Sequence, residues 1–443
     1  MVRHCWWSLG GRFACSACAG GAGPADEPGV VLHGFRLVDP NDHTVRQADL
    51  CLDHGAVCAP GTSTAQFRHI QGNGRFLMPA LWDLSAALWG NDSALSYEVL
   101  YQEMSISQSL RVQLYYGVAH VGTFGMQSQW VLRERKRAQA LGYPAAELIF
   151  PDLALGSRPQ FGCVPVQQGS ELAALLDERK SHDAPFVRLF YGAPNSKRFP
   201  GLSKELLAQA LEQAAQRGLK GYVVIEDWQH AREAAELGAA FIYGLPDGPV
   251  PEDLITRLRD QGVAFAAGMA GFELDRVLGN PPVVADPFLT VAVSAPVLAT
   301  YRDRKALWSE WLPELQSGQQ RQAITLLNLR RLAEGGVHVV QVSDAGWTTG
   351  TFQGYSAHAA QEWLEHAGLE PWARLSAATV WPAQFAGRQA SFAPGAPADF
   401  IALDADPLEH AANLRKLAFV IRAGKLVERS TLKPDLTRDR WHQ

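Results

Sequence analysis

The sequence predicts an α/β fold, a (β/α)8 TIM barrel flanked by β-rich segments at both ends of the chain. Three observations carry that expectation. An apolar run from Phe76 to Gly90 is bounded by turn residues, which suits a parallel strand covered on both faces. Apolar strand-like segments then alternate with helical ones, and eight such strands are counted. Before Phe76 and after Gly387 the chain instead reads as short strands around Gly-, Pro- and Asp-rich turns.

The elements follow in order. Residues 1–28 form a lead rich in Gly, Ala and Pro toward its end. Val30 to Pro40 reads as a strand running into a turn, and residues 49–61 as two short alternating strands around an Asp53-His54-Gly55 turn. The eight candidate parallel strands are Phe76 to Leu84, Val118 to Phe124, Glu147 to Leu155, Pro185 to Tyr191, Gly221 to Glu226, Ala240 to Gly244, Val263 to Ala267 and Val337 to Ser343. Between them, Leu202, Leu206, Leu207, Ala210, Leu211 and Ala214 recur at helical spacing, with Ser203 placed to cap and Gly218 to close. Ala231 to Gly238 is a second helix ending at glycine. A long excursion over 272–332 is of the kind that covers an active-site mouth. After the eighth strand come helices over 356–367 and up to Gly387, then strands near Phe400 and Leu417 and a tail over 431–443.

Composition narrows the function classes. With 443 residues, 47% hydrophobic and 19% charged, the chain can bury the core of one large unit and a smaller one. A net charge of −5, with no basic block beyond Arg133-Glu134-Arg135-Lys136-Arg137, gives no footprint for nucleic acid or an anionic membrane. No apolar stretch approaches the roughly 18 to 20 residues that span a bilayer. The six cysteines assign no disulfide framework, and the lone Cys15-Ser16-Ala17-Cys18 has no second pair with which to bind zinc. Cys5 to Leu9 followed by Ala17-Cys18-Ala19 has the outline of an export signal, but Gly10-Gly11-Arg12 interrupts it; the expectation is cytoplasmic, with export as the alternative. There is no G-x-S-x-G elbow, P-loop or dinucleotide turn.

Pro79-Ala80-Leu81-Trp82-Asp83 resembles the first barrel strand of the amidohydrolase superfamily, most closely its imidazolonepropionase-like branch, where Pro-Gly-Leu-Ile-Asp-x-His-x-His carries two metal ligands. Gly395 to Leu408, with Ala398-Asp399-Phe400 and Pro407-Leu408, resembles the superfamily's C-terminal signature. Over residues 30–428 the resemblance implies a barrel at 76–390 and a composite β-sandwich from 29–75 and 391–430. It also implies hydrolysis of non-peptide carbon–nitrogen bonds at a metal cage, and a homo-oligomer.

Matched onto this chain, the cage positions fall on Ser85, Ala87, Arg188, a histidine-free strand Tyr222 to Asp227, Tyr243 and Asp344. One carboxylate cannot hold zinc in a closed four-ligand cage, and an arginine is always protonated. The expected cofactor is therefore none; the alternative is one divalent metal such as zinc, held by Asp344 with His120, Glu226 or Asp227. Asp344, Arg188 and Tyr243 are the candidate catalytic groups, with a bidentate pair expected between Arg188 and Asp344. Candidate substrate contacts are Arg188, Tyr191, Glu226, His120, Trp347 and His358, the last matching a histidine of the same branch. Three functions stay open: a small anionic or amide-containing molecule bound or transformed without metal, a metal-dependent hydrolase with rebuilt ligands, and a non-catalytic binding or partner protein.

Overall fold

The computed structural model describes residues 28–88, 106–123, 131–133, 136, 144–150, 153–159, 163–193, 196, 200–268, 283–293, 298, 301, 320–346 and 350–433. Trp347, a candidate substrate contact, lies outside the described residues. So does most of the 272–332 excursion.

Both ends of the chain build one eight-stranded sheet. Its strands are β1 (Val30–Asp39), β2 (Thr44–Asp53), β3 (Ala56–Val57), β4 (Arg68–Gln71) and β5 (Phe76–Pro79), with β15 (Phe400–Leu403), β16 (Leu417–Arg422) and β17 (Lys425–Val427). The order is β17-β16-β15-β5-β1-β2-β3, with β4 also on β1. The turn between β2 and β3 has His54 and Gly55 at φ 48° and 81°, the pair of left-handed residues that a two-residue hairpin requires. One step beyond the Leu52–Val57 pair, Cys51 and Cys58 are disulfide-bonded, with Cα atoms 5.3 Å apart. The two cysteines are brought opposite one another by the hairpin register, a pairing that cysteine counting alone had not assigned. Intact-mass analysis of the alkylated, unreduced protein is expected to show Cys51 and Cys58 protected and to gain both labels after reduction; labelling without reduction would contradict the bridge.

The parallel strands form two arcs. One contains β6 (Leu81–Ala86), β7 (Val118–Thr123) and β8 (Glu147–Phe150). The other runs β10-β9-β11-β12-β13-β14, from Cys163–Pro165, Ala154–Gly156, Phe186–Tyr191, Lys220–Ile225, Phe241–Tyr243 and Ala264–Ala266. The fold is thus α/β with parallel sheets, but among the described residues no ladder joins the arcs into a closed ring. Two expected strands divide. Phe76 to Leu84 breaks at Ala80, whose N–H bonds Asp399 O in the terminal sheet, while the next N–H, of Leu81, bonds Gly117 O beside β7. The change of sheet therefore falls at Ala80 and not at residue 76. Glu147 to Leu155 likewise supplies β8 to one arc and β9 to the other.

The expected eighth strand is reduced to one parallel bridge, Phe265 to Val339, with hydrogen bonds from Phe265 N to His338 O and from Val340 N to Phe265 O. Its far side faces β6 without a ladder. There Ala87 N bonds Ala345 O at 2.7 Å, and the 377–378 turn takes one bond from each side, Gln341 N to Ala377 O and Trp82 N to Ala378 O.

Helices cover the second arc as their sequence dictates. Lys204–Gln216 starts at Ser203, whose Oγ accepts from Leu206 N, and is followed by Gly218 at φ 73°. Leu207, Ala210, Leu211 and Ala214 are its buried face. Trp228–Glu236 starts at Asp227, whose carboxylate accepts from His230 N at 2.8 Å, a cap worth about 1 kcal/mol. Inside the arcs, Trp82, Leu84, Phe186, Tyr222, Val224, Phe241, Ala266, Val340 and Val342 form one apolar cluster, so both arcs and the 337–343 segment face a common interior. Among the described residues no helix is long and apolar enough to cross a membrane.

Candidate functional site

The site lies where β6, β11, β13 and the segment after Val342 end together. Asp344 is 2% exposed, and its two oxygens are each taken by a protein hydroxyl: Ser85 Oγ donates to Oδ1 at 2.6 Å and Tyr243 Oη to Oδ2 at 2.8 Å. Its backbone sits at φ 50°, a left-handed conformation that costs a non-glycine residue about 1–2 kcal/mol. Strain of that kind gathers at functional positions. Gly268, after β14, leaves the room: a Cβ there would stand 2.1 Å from Tyr243 Oη and 2.3 Å from Asp344 Oδ2.

Arg188 enters the same interior from β11. It is 2% exposed, donates from Nη2 to Leu84 O at 3.0 Å, and holds its guanidinium carbon 4.2 Å from the centre of the Tyr222 ring. Burial pushes the Asp344 carboxyl above its ordinary pKa, while the bonds from Ser85 and Tyr243, and then the charge of Arg188, pull it back. The expected guanidinium fork on Asp344 is thus supplied instead by two hydroxyls, with Arg188 acting through its charge. Burial, followed by the nearby Asp344 charge, raises the Tyr243 phenol well above its usual value, so it stays a donor.

A second carboxylate stands beside the first. Asp83, fully buried, accepts from Ser85 N and Ser343 N at 3.1 Å each and from Ser343 Oγ. It pins β6 to the 337–343 segment where no ladder does. Burial pushes its pKa up to about 7 against the lowering effect of those bonds.

Of the residues matched to the cage, Ser85, Tyr243 and Asp344 are in direct contact and Arg188 is close enough to act on Asp344; Ala87 contributes only its backbone. These groups do not fit a zinc ion. Ser85 and Tyr243 present protons to the one carboxylate, and Arg188 adds a fixed positive charge.

The remaining candidates divide. Glu226 is near the mouth, where it accepts from Ser196 Oγ at 2.8 Å and Ala193 N at 3.1 Å and so ties down the loop after β11. Tyr191 is a correction: side chains alternate along β11, so with Arg188 inward Tyr191 packs outward among the helices and donates to Glu233. His120 is also a correction. It stacks on Trp82 and bridges Glu147 at 3.4 Å and Asp399 at 3.1 Å, at the junction of β7 with the terminal sheet. Burial opposes ionisation of Glu147, but His120, Arg388 and Arg422 prevail and lower its pKa to about 2. His358 is a third: it is buried on the helix Tyr355–His366, bonded to Tyr116 O at 2.7 Å, and burial pushes its pKa down to about 3. Asp227, an alternative metal ligand, caps a helix. Ser343 and Gly268 were not singled out for the site, whereas Asp83, in the motif that places the first strand, is expected to satisfy backbone groups and does so at Ser85 N and Ser343 N.

No family model matches the chain, and no curated protein matches it. Solved structures do. Molinate hydrolase aligns over 94% of this chain and 98% of its own, with a TM-score of 0.70 at 16% identity. Phenylurea hydrolase B aligns over 93% and 99%, with a TM-score of 0.68 at 17% identity. An amidohydrolase aligns over 90% and 98%, with a TM-score of 0.66 at 14% identity. These likenesses run nearly the full length of both partners; the chain has an α/β fold with parallel sheets similar to that of the solved amidohydrolase structures.

Proposed function

We propose that this chain is a divergent member of the amidohydrolase superfamily whose mouth binds or transforms a small anionic or amide-containing molecule without the usual catalytic metal. In this reading the two arcs and the 337–343 segment close as a (β/α)8 barrel. The observation that carries it is the convergence of Ser85, Tyr243 and Asp344 at the matched cage positions, with Arg188 placed where its charge acts on the carboxylate. A positive charge fixed in a side chain takes the part of the ion, and the buried polar groups are kept although apolar ones would be cheaper to bury. Solved neighbours named as hydrolases support hydrolase descent. The Cys51–Cys58 bridge supports the exported alternative over a cytoplasmic location, since disulfides persist in oxidising compartments.

The test pairs metal content with ligand binding. A thermal-shift screen of small carboxylates, amides and lactams is expected to find a ligand that stabilises the parent and loses most of its effect in Tyr243→Phe or Arg188→Lys, which alter the site while keeping bulk and charge. Elemental analysis is expected to find no divalent ion that Asp344→Asn removes. One zinc, manganese or iron per chain lost on Asp344→Asn would establish the rebuilt hydrolase instead. Absence of any stabilising ligand would favour the non-catalytic partner protein.

A further inference from the structure

Three strands of the terminal sheet set a row of ligating side chains on its outer face. In the register of β1 and β4, Val31 pairs His69 and His33 pairs Gln71, so His33 and His69 are diagonal neighbours on one face. On the other side of β1, the ladder to β2 slips between Leu32 and Phe35, and Asp49 falls opposite the slip. Asp49 uses both oxygens there: Gly34 N donates to Oδ1 and His33 Nδ1 to Oδ2, each at 2.8 Å. Gly34, at φ 65°, makes the kink that brings its N–H and the His33 ring to the same carboxylate.

That carboxylate settles the chemistry of the two rings. As a neutral ring that donates from Nδ1 to Asp49, His33 presents a lone pair at Nε2. His69 Nδ1 lies 2.8 Å from that nitrogen, and the rings are within 6° of parallel with centroids 5.1 Å apart, so the nitrogens face one another edge to edge and share one proton. His33 is partly exposed and His69 exposed, so His69 can turn about its side-chain torsions without disturbing a core. A carboxylate–histidine pair of this kind orients metal-ligating histidines and raises their basicity.

We infer that His33 Nε2 and His69 Nδ1 form a surface site for a tetragonal divalent ion, copper(II) foremost and nickel(II) next, with Asp49 orienting His33 and water completing the coordination. Two imidazole nitrogens with water in the remaining positions suit a tetragonal ion, and nitrogen ligands hold copper(II) ahead of nickel(II) and of zinc(II). The ion takes the place of the shared proton once His69 turns to converge on the same point. Among the described residues no group of three or more His, Cys, Asp or Glu side chains is arranged for a metal, so two protein ligands and a second carboxylate layer are what this site offers.

The inference is independent of the barrel mouth. Metal-stripped protein is titrated with copper(II), nickel(II) and zinc(II), and the copper complex is examined by electron paramagnetic resonance. One copper per chain is expected, with hyperfine structure from two equatorial imidazoles and affinity falling in the order copper, nickel, zinc. His33→Ala and His69→Ala each remove the two-nitrogen signal. Asp49→Asn, which keeps both ligands, weakens binding about 10- to 100-fold. These residues are on the surface, and matched melting curves will show that the variants are folded. Copper bound with equal affinity and spectrum by the double variant His33→Ala/His69→Ala, or no two-nitrogen signal in the parent, overturns the site. An ion lost on Asp344→Asn but retained in that double variant would belong to the barrel mouth.

Discussion

Arg188→Met is expected to lower the unfolding free energy by about 3–5 kcal/mol at neutral pH, the range seen when one partner of a buried charged group is removed. Methionine fills much of the volume, so little of this is cavity. The losses include the donor to Leu84 O, the guanidinium over Tyr222, and the charge that pulls the Asp344 pKa down. The pH dependence separates these losses. The folded-state pKa of Asp344 is already raised, and removing Arg188 raises it further, so the variant must lose stability more steeply than the parent as pH rises above the unfolded carboxylate's value. Urea unfolding of the two proteins should therefore differ most at pH 7–8 and least near pH 4–5. A deficit that is the same at both ends would assign the loss to packing and the Leu84 bond, and would remove Arg188 as an electrostatic stand-in for the ion.

Much of this was readable in the chain because the relevant signals are local. The helix at Lys204–Gln216 announces itself by a capping serine, an apolar face and a closing glycine, and the hairpin at Asp53 to Ala56 by its turn residues. Ser85, Tyr243 and Asp344 could be brought together only by a resemblance that aligned three distant strand ends. Other features had a signal that went unused. Alternation along Phe186–Tyr191 sends Arg188 and Tyr191 to opposite faces, and the two-residue turn after Asp53 already places Cys51 opposite Cys58. What could not be read depends on residues far apart in the sequence. The apolar run through Pro79 has the same composition on either side of Ala80, so nothing in it marks where the backbone leaves Asp399 for Gly117. The partners that retire His120 and His358 from the mouth, Asp399 and Tyr116, lie hundreds of residues away.

Asp83 carries the second large effect, and its sign is opposite to that of an ordinary paired carboxylate. With a folded pKa of about 7 and an unfolded one near 3.9, it binds a proton in the folded chain that the unfolded chain has released. Its contribution is whole below about pH 4 and is lost as pH rises through about 7, a loss of up to about 4 kcal/mol. Asparagine has nearly the same shape: its Oδ1 can accept from Ser85 N and Ser343 N, and its amide can donate to Ser343 Oγ, so Asp83→Asn keeps the clamp and deletes the titration. The difference between Asp83→Asn and parent is expected to be smallest near pH 4 and to grow in favour of the variant up to pH 8. Subtraction cancels the acid-range contributions of Glu147 and Asp399, common to both proteins. Asp83→Ala has no such compensation. It strands two buried N–H groups between β6 and the 337–343 segment, each costing about 1–3 kcal/mol, and should be destabilised at every pH. Parallel stability curves for parent and Asp83→Asn across pH 4–8 would mean that Asp83 does not change its ionisation on folding, and would leave it as a seam clamp with no part in the pH response of this fold.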